Sequence, residues 1–282
     1  MPRFVPPPGS CNAHCHIFGP FDRFPPPADR SFDPPEAPEP ALRQVDDALG
    51  FARAVLVQSQ GHGLDHRPVL HALRAGGGRY RGVALVRPDT PPATVAAWDA
   101  AGFCGARFSF MPHLGFPDLP AVRDAIALVR PHGWHVAIHV MGSGIVDMAD
   151  FIREIDAPVV IDHMARPDPA EGPDGAAITT LRRLLDGGRV WVKLSGADRL
   201  SGQRAPYTDA LPIARRLAEH APERILWGTD WPHVNLHGPM SDDAALVDLI
   251  PLIAPDAATR QRMLVDNPAE FFGFPPGVHH AA

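Results

Sequence analysis

Two histidines separated by one residue, His14 and His16, are the first groups along the chain able to act together. In extended backbone, alternate side chains share a face, so both imidazoles point one way and Cys15 the other. A converging imidazole pair suits a divalent metal ion or the polarised oxygen of a carbonyl. Two surface histidines at a turn would give the same spelling. His139, His163 and Asp230 each close a further apolar, β-rich run. Any one of them could be a histidine or acid satisfied by a neighbouring backbone group. Four histidines and an aspartate at the ends of four such runs instead point to one shared site.

The elements that must position these groups are short. Runs at 11–16, 54–58, 82–86, 105–110, 135–140, 159–163, 190–195 and 225–230 read as strands. Helical stretches fill 41–52, 66–75, 93–101, 119–131, 145–155, 175–186, 209–221 and 242–253, with a ninth at 257–265. AVLV at 54–57, VVI at 159–161 and ILW at 225–227 are continuous apolar runs, as expected of parallel strands buried on both faces. Eight strands alternating with helices long enough to be crossovers predict an α/β fold, a single (β/α)8 TIM barrel, although periodicity alone also allows an open sheet. Barrel enzymes build their sites at the C-terminal strand ends, where the histidines and Asp230 fall. Ser59, beside Gln58 at the end of the second run and before the Gly61-His62-Gly63 loop, could line that face. Lys193 and Ser195 end the seventh run and either face the site or, for Lys193, pair structurally.

With 282 residues, the chain fits one barrel domain spanning 1–282. Its 34 prolines cluster at 6–8, 25–27 and 34–40, which predicts an extended arm over 1–9 and a stiff excursion after the first strand. Residues 275–282 read as a frayed tail. A net charge of −6 argues against binding to nucleic acid or anionic membranes, both of which require a basic surface. No apolar run approaches the ~18 residues of a membrane span. Three cysteines are too few and too odd in number for a disulfide framework, and the N-terminus lacks a signal-peptide pattern, so a cytoplasmic setting is expected. The oligomeric state is left open.

The combination HCHIFGP at 14–20, GARFSF at 105–110, VVIDHMARPD at 159–168, GPDGA at 172–176 and ILWGTDWPH at 225–233 resembles the amidohydrolase superfamily, and within it the 2-pyrone-4,6-dicarboxylate lactonase group. The likeness runs from about residue 4 to about residue 273. It implies a (β/α)8 barrel that hydrolyses a small carboxylated lactone. By that resemblance Asp230 is the general base on the attacking water, and His14, His16 and His163 polarise the lactone carbonyl. Arg107 and Arg199 correspond to positions that bind a substrate carboxylate, with Arg166 as a further candidate. Guanidinium forks bind carboxylates through two parallel hydrogen bonds. A structural ion pair is the alternative for each arginine. For Arg107, flanked by Ala106 and Phe108, no partner is evident in the sequence.

Two departures bear on substrate and cofactor. Where the lactonase group has a second arginine shortly after the position of Arg107, this chain has His113, and where that group has a tyrosine at the fifth strand end, it has His139. Both enter the expected substrate-binding set, with an imidazole in place of a permanent cation. His139 also completes a His14, His16, His139 and Asp230 set suited to one divalent metal, zinc first, so the cofactor expectation stays divided between none and one metal. A bound metal would free His163 for acid–base work and permit a second chemistry, metal-dependent decarboxylation of an unsaturated or aromatic carboxylate. A noncatalytic binding protein on the same barrel is the third reading.

Overall fold

The apolar runs become the strands β1 (Cys11–Cys15), β2 (Arg53–Val57), β3 (Tyr80–Ala84), β4 (Phe103–Ser109), β5 (His135–His139), β6 (Val159–Ile161), β7 (Val190–Lys193) and β8 (Ile225–Leu226). Each pairs in parallel with the next in chain order. The computed structural model describes residues 1–30, 32–236 and 240–274, and of His113 the backbone alone. The sheet closes on itself. The amide of Ala13 donates to the Trp227 carbonyl (2.8 Å), that of Asp230 to His14 (2.9 Å) and that of His16 to Trp231 (2.9 Å). These bonds make the sheet a barrel and remove the open-sheet alternative.

Helices wrap the barrel: α1 (Glu39–Leu49), α2 (Arg67–Gly76), α3 (Pro92–Ala100), α4 (Leu119–Val129), α5 (Gly144–Asp147), α6 (Ala149–Glu154), α7 (Ala176–Asp186), α8 (Ala197–Leu200), α9 (Leu211–His220), α10 (Asp243–Val247), α11 (Ile250–Ile253), α12 (Ala257–Gln261) and α13 (Asn267–Phe272). Several expected helices are divided. The stretch 242–253 breaks between α10 and α11 beside Pro251, which has no N–H to continue the helical ladder. The expected ninth helix runs on through a π-turn (Arg262–Asp266) into α13, whose second residue, Pro268, likewise cannot bond backwards. Short α8, which carries Arg199, was not expected at all.

Two packed layers hold the fold. Cys11, Ala13, Val55, Val57, Val83, Ala137, Val160 and Leu226 fill the barrel interior, closed below by Phe272 and Phe274. Cys15, Leu56, Ala84, Val136, Ile138, Ile161 and Val192 face outward onto the helices. Simple alternation would place His14 and His16 outside, on the face opposite Cys11 and Ala13. The β1–β2 register instead shifts between Asn12 and Cys15, so three steps on β1 match two on β2. This bulge inverts the phase of the strand, turning His14 and His16 inward and Cys15 outward. The excursion after β1 returns through a two-bond bridge between Phe18 and Ala37 (2.9 and 2.7 Å). The expected arm at 1–9 is anchored where the amides of Arg3 and Phe4 donate to Asp248. The expected frayed tail at 275–282 lies outside the described residues.

Candidate active site

At the C-terminal ends of the strands lies a cavity of about 480 Å³, the size of a small-molecule site. Its lining includes His16, Ser59, Arg107, His139, His163, Arg166, Arg199 and Asp230. His14 lies directly behind, fully buried, its ring 5.0 Å from that of His16 and 4.5 Å from that of His163. The side chain of His113 lies outside the described residues.

Asp230 is the hub. Its Oδ1 is 3.2 Å from His16 Nε2, 3.5 Å from His14 Nε2 and 3.9 Å from His163 Nε2. Its Oδ2 accepts from Nε of Arg199. Burial alone would raise the carboxyl pKa. The Arg199 charge, His163 and the His16 hydrogen bond hold it well below the usual carboxylate range. Beyond the end of β8 the backbone at Asp230 is left-handed (φ 65°), and its carboxylate lies on the cavity wall. His233 steadies this turn by donating its backbone N–H to the Asp230 carbonyl (2.9 Å). Its ring is wedged between Asp198 and Asp243; burial opposes the charge, but the two acids push its pKa up to about 9.

Left-handed backbone also follows β6. His163, Met164, Ala165 and Arg166 all adopt positive φ, a costly run for non-glycine residues, and it aims both His163 and Arg166 into the cavity. His163 Nδ1 is 2.9 Å from Ser195 Oγ, and burial pushes its pKa down to about 4. Burial, then Lys193, depresses His14; burial, then Arg107, depresses His139. At neutral pH these three imidazoles are uncharged, each with one N–H to give. His16 donates Nδ1–H to the Val57 carbonyl (2.7 Å), which orients its Nε2 toward Asp230.

One residue of this assembly had no assigned role in the sequence. Asp162, fully buried, accepts from Arg107 Nε (2.8 Å) and lies 3.1 Å from Lys193 Nζ and 3.4 Å from His14 Nδ1. It is the partner for Arg107 that the flanking residues gave no sign of. Its only sequence signal is a charged residue closing the VVI run. Burial would raise its pKa, but Lys193, His14 and Arg107 hold it well below the normal range. Lys193 therefore pairs structurally behind the cavity, and Ser195 contacts His163. Gln58 does not serve the site, because its amide caps the Gly63 and Asp65 carbonyls. Ser59 lines the cavity and accepts from the Gly61 amide (3.3 Å).

The three arginines differ. Arg107 spends Nε on Asp162 and Arg199 spends Nε on Asp230, whereas the guanidinium of Arg166 makes no ion pair or hydrogen bond to the protein among the described residues. Burial, then neighbouring Arg199, disfavours its charge, so an anion beside it is what the position lacks. On the cavity wall three cations (Arg107, Arg166, Arg199) face one carboxylate (Asp230), an excess of two positive charges, while Lys193 and Asp162 pair behind it.

His14, His163 and Asp230 bring donor atoms within 4.8 Å of one another, a group of the kind that can hold a metal ion. His163 stands in it, and neither His16 nor His139 of the expected set does. His139 instead contacts Ser109 Oγ through Nδ1 (3.2 Å), with its ring 5.7 Å from that of His163. The surroundings do not favour a divalent cation. Asp230 is already charge-paired to Arg199, and the ammonium of Lys193 sits 3.1 Å behind His14.

A family model described as amidohydrolase matches residues 11–274. The chain is 39% identical to a 2-pyrone-4,6-dicarboxylate hydrolase of Comamonas testosteroni, over 96% of this chain and 92% of that one. It is 36% identical to a 4-sulfomuconolactone hydrolase of Hydrogenophaga intermedia, over 96% and 91% respectively. A solved structure from Agrobacterium tumefaciens superposes with a TM-score of 0.87 at 30% identity, covering 98% of this chain and 100% of that one.

Proposed function

The chain belongs to the amidohydrolase family, and from that premise we propose that it hydrolyses a small lactone carrying acidic groups. The observation that carries this reading is the placement of one carboxylate, Asp230, among three imidazoles on the wall of a cavity with excess positive charge.

In the proposed reaction the acidic substituents of the lactone bind Arg166 first and share the guanidinium groups of Arg107 and Arg199. As the substrate draws Arg199 toward itself, Asp230 loses the charge that depresses its basicity and accepts a proton from a bound water. The water oxygen attacks the lactone carbonyl carbon. Negative charge develops on the carbonyl oxygen and is met by N–H groups of His14 and His163. Collapse breaks the acyl carbon–ring oxygen bond. The ring oxygen takes up a proton, and the new carboxylic acid ionises to release one acid equivalent. His16, held by Val57, orients the base, while His139 and Ser59 border the substrate.

The two relatives named above are lactone hydrolases by name, which supports ring opening over decarboxylation. The charge arrangement also gives little support to a zinc-dependent route. The excess of two charges suits a lactone with two acidic groups, consistent with Arg166 supplying charge at a site where His139 does not. We place the reaction in the cytoplasm, consistent with three unpaired thiols and with no helix among the described residues long and apolar enough to cross a membrane.

The test is turnover of matched lactones bearing two, one or no acidic groups, with acid and carbon dioxide release both measured. One acid equivalent per ring opened, no carbon dioxide and the highest kcat/KM for the doubly acidic lactone are expected. Evolution of carbon dioxide, or a neutral lactone turned over equally well, would overturn the proposal.

A further inference from the structure

Lys193 is the last residue of β7 and has no exposed surface, an unusual place for a lysine that touches no cavity. Its Nζ lies 3.1 Å from Asp162 Oδ1 and 3.1 Å from His14 Nδ1. An ammonium carries three donors and no lone pair, so its approach to Nδ1 is attractive only if that nitrogen is the acceptor. A neutral imidazole with its lone pair on Nδ1 carries its hydrogen on Nε2. The alternative, Nδ1–H donating to Asp162 Oδ1 at 3.4 Å, would point an N–H at the ammonium. His14 Nε2 has no hydrogen-bond partner and faces the Asp230 carboxylate at 3.5 Å. It is an unpartnered nitrogen beside the carboxylate at the hub of the site.

We propose that Lys193 is a positioning residue that holds His14 in the Nε2–H form, making His14 a hydrogen-bond donor to the reacting carbonyl and closing it to a metal ion. Arg107 and Asp162 complete the device. Arg107 holds one oxygen of Asp162, and the other fixes Lys193 beneath the imidazole. A divalent cation would need the Nε2 lone pair, which moves the hydrogen onto Nδ1, against the ammonium. The donor role of His14 rests on the lactone reading, whereas its tautomer and its metal affinity do not.

The test uses the full chain labelled with 15N-histidine. Long-range proton–nitrogen correlation spectra report which ring nitrogen is protonated, with the His14 signals identified by their loss in His14→Gln. The wild-type protein should show Nε2–H at neutral pH, and an Nδ1–H spectrum overturns the proposal whether or not Lys193→Met folds. In folded Lys193→Met, the Nδ1–H form should appear and cobalt(II) affinity should rise about ten- to hundredfold, the usual scale for a group behind a metal ligand. An unchanged tautomer and unchanged cobalt affinity in that variant also overturn it. Once a substrate is in hand, kcat of Lys193→Met should fall about hundredfold with KM little altered, the scale of one lost oxyanion donor. A rise in KM alone contradicts the donor role of His14.

Discussion

Replacing Arg199 by glutamine removes the cation that holds Asp230 ionised and weakly basic, and the consequence can be sized. Unit charges about 4 Å apart at an effective dielectric near 20 interact by about 4 kcal/mol. At 1.36 kcal/mol per unit this is roughly three pKa units, and carboxylates beside arginine are typically depressed by about one to three. Both groups of this pair are buried, so solvent weakens it little. Removing a cation raises a carboxyl pKa, and here burial adds in the same direction. The base is therefore neutralised at a higher pH than in the wild type. The assay is kcat/KM against pH, which reports groups of the free enzyme. The acid limb should move up by about one to three units, and KM should rise because Arg199 also meets the substrate. If KM rises and the limb stays in place, Arg199 binds substrate without governing the base. If neither moves, the pairing with Asp230 has no functional weight.

Other outcomes follow from the same geometry. Asp230→Asn should retain substrate binding by calorimetric titration yet lose at least about hundredfold in kcat, the usual contribution of a general base; retained turnover removes Asp230 from the mechanism. Arg166→Met should raise KM for acidic lactones about ten- to hundredfold, matching the roughly 1.5–3 kcal/mol of a charged hydrogen bond, and leave neutral lactones unaffected. Gly228→Ala places a Cβ 2.5 Å from the His14 backbone nitrogen. It should cost about 1–3 kcal/mol in thermal unfolding and reduce kcat by shifting His14. A variant of wild-type stability would show that β1 and β8 yield more easily than the contact implies.

The barrel was legible because its strands are local objects. AVLV, VVI and ILW declare buried parallel strands within a few residues each, and the spacing between them requires crossovers. The reacting side chains were legible as types for the same reason, since histidines and an acid closing apolar runs break the pattern around them. Their orientation was not. His14 and His16 do share a face, but only a bulge against β2 makes it the inner one. His163 and Asp230 reach the cavity through left-handed turns rather than as continuations of strands. A continuous apolar run has no polar alternation from which such a turn could be read.

Which charges meet was decided by the tertiary structure alone. Arg107 looked unpartnered among apolar neighbours, and its acid is 55 positions away. Lys193 looked like a strand end, and it touches a histidine 179 positions away. The one arginine that looked optional, Arg166, makes no ion pair among the described residues. Residue type is inherited from the chain, but the energy of a charge depends on what lies within a few ångströms in a poorly screening interior. Closing β8 against β1 is what brings Lys193 and Asp230 to His14.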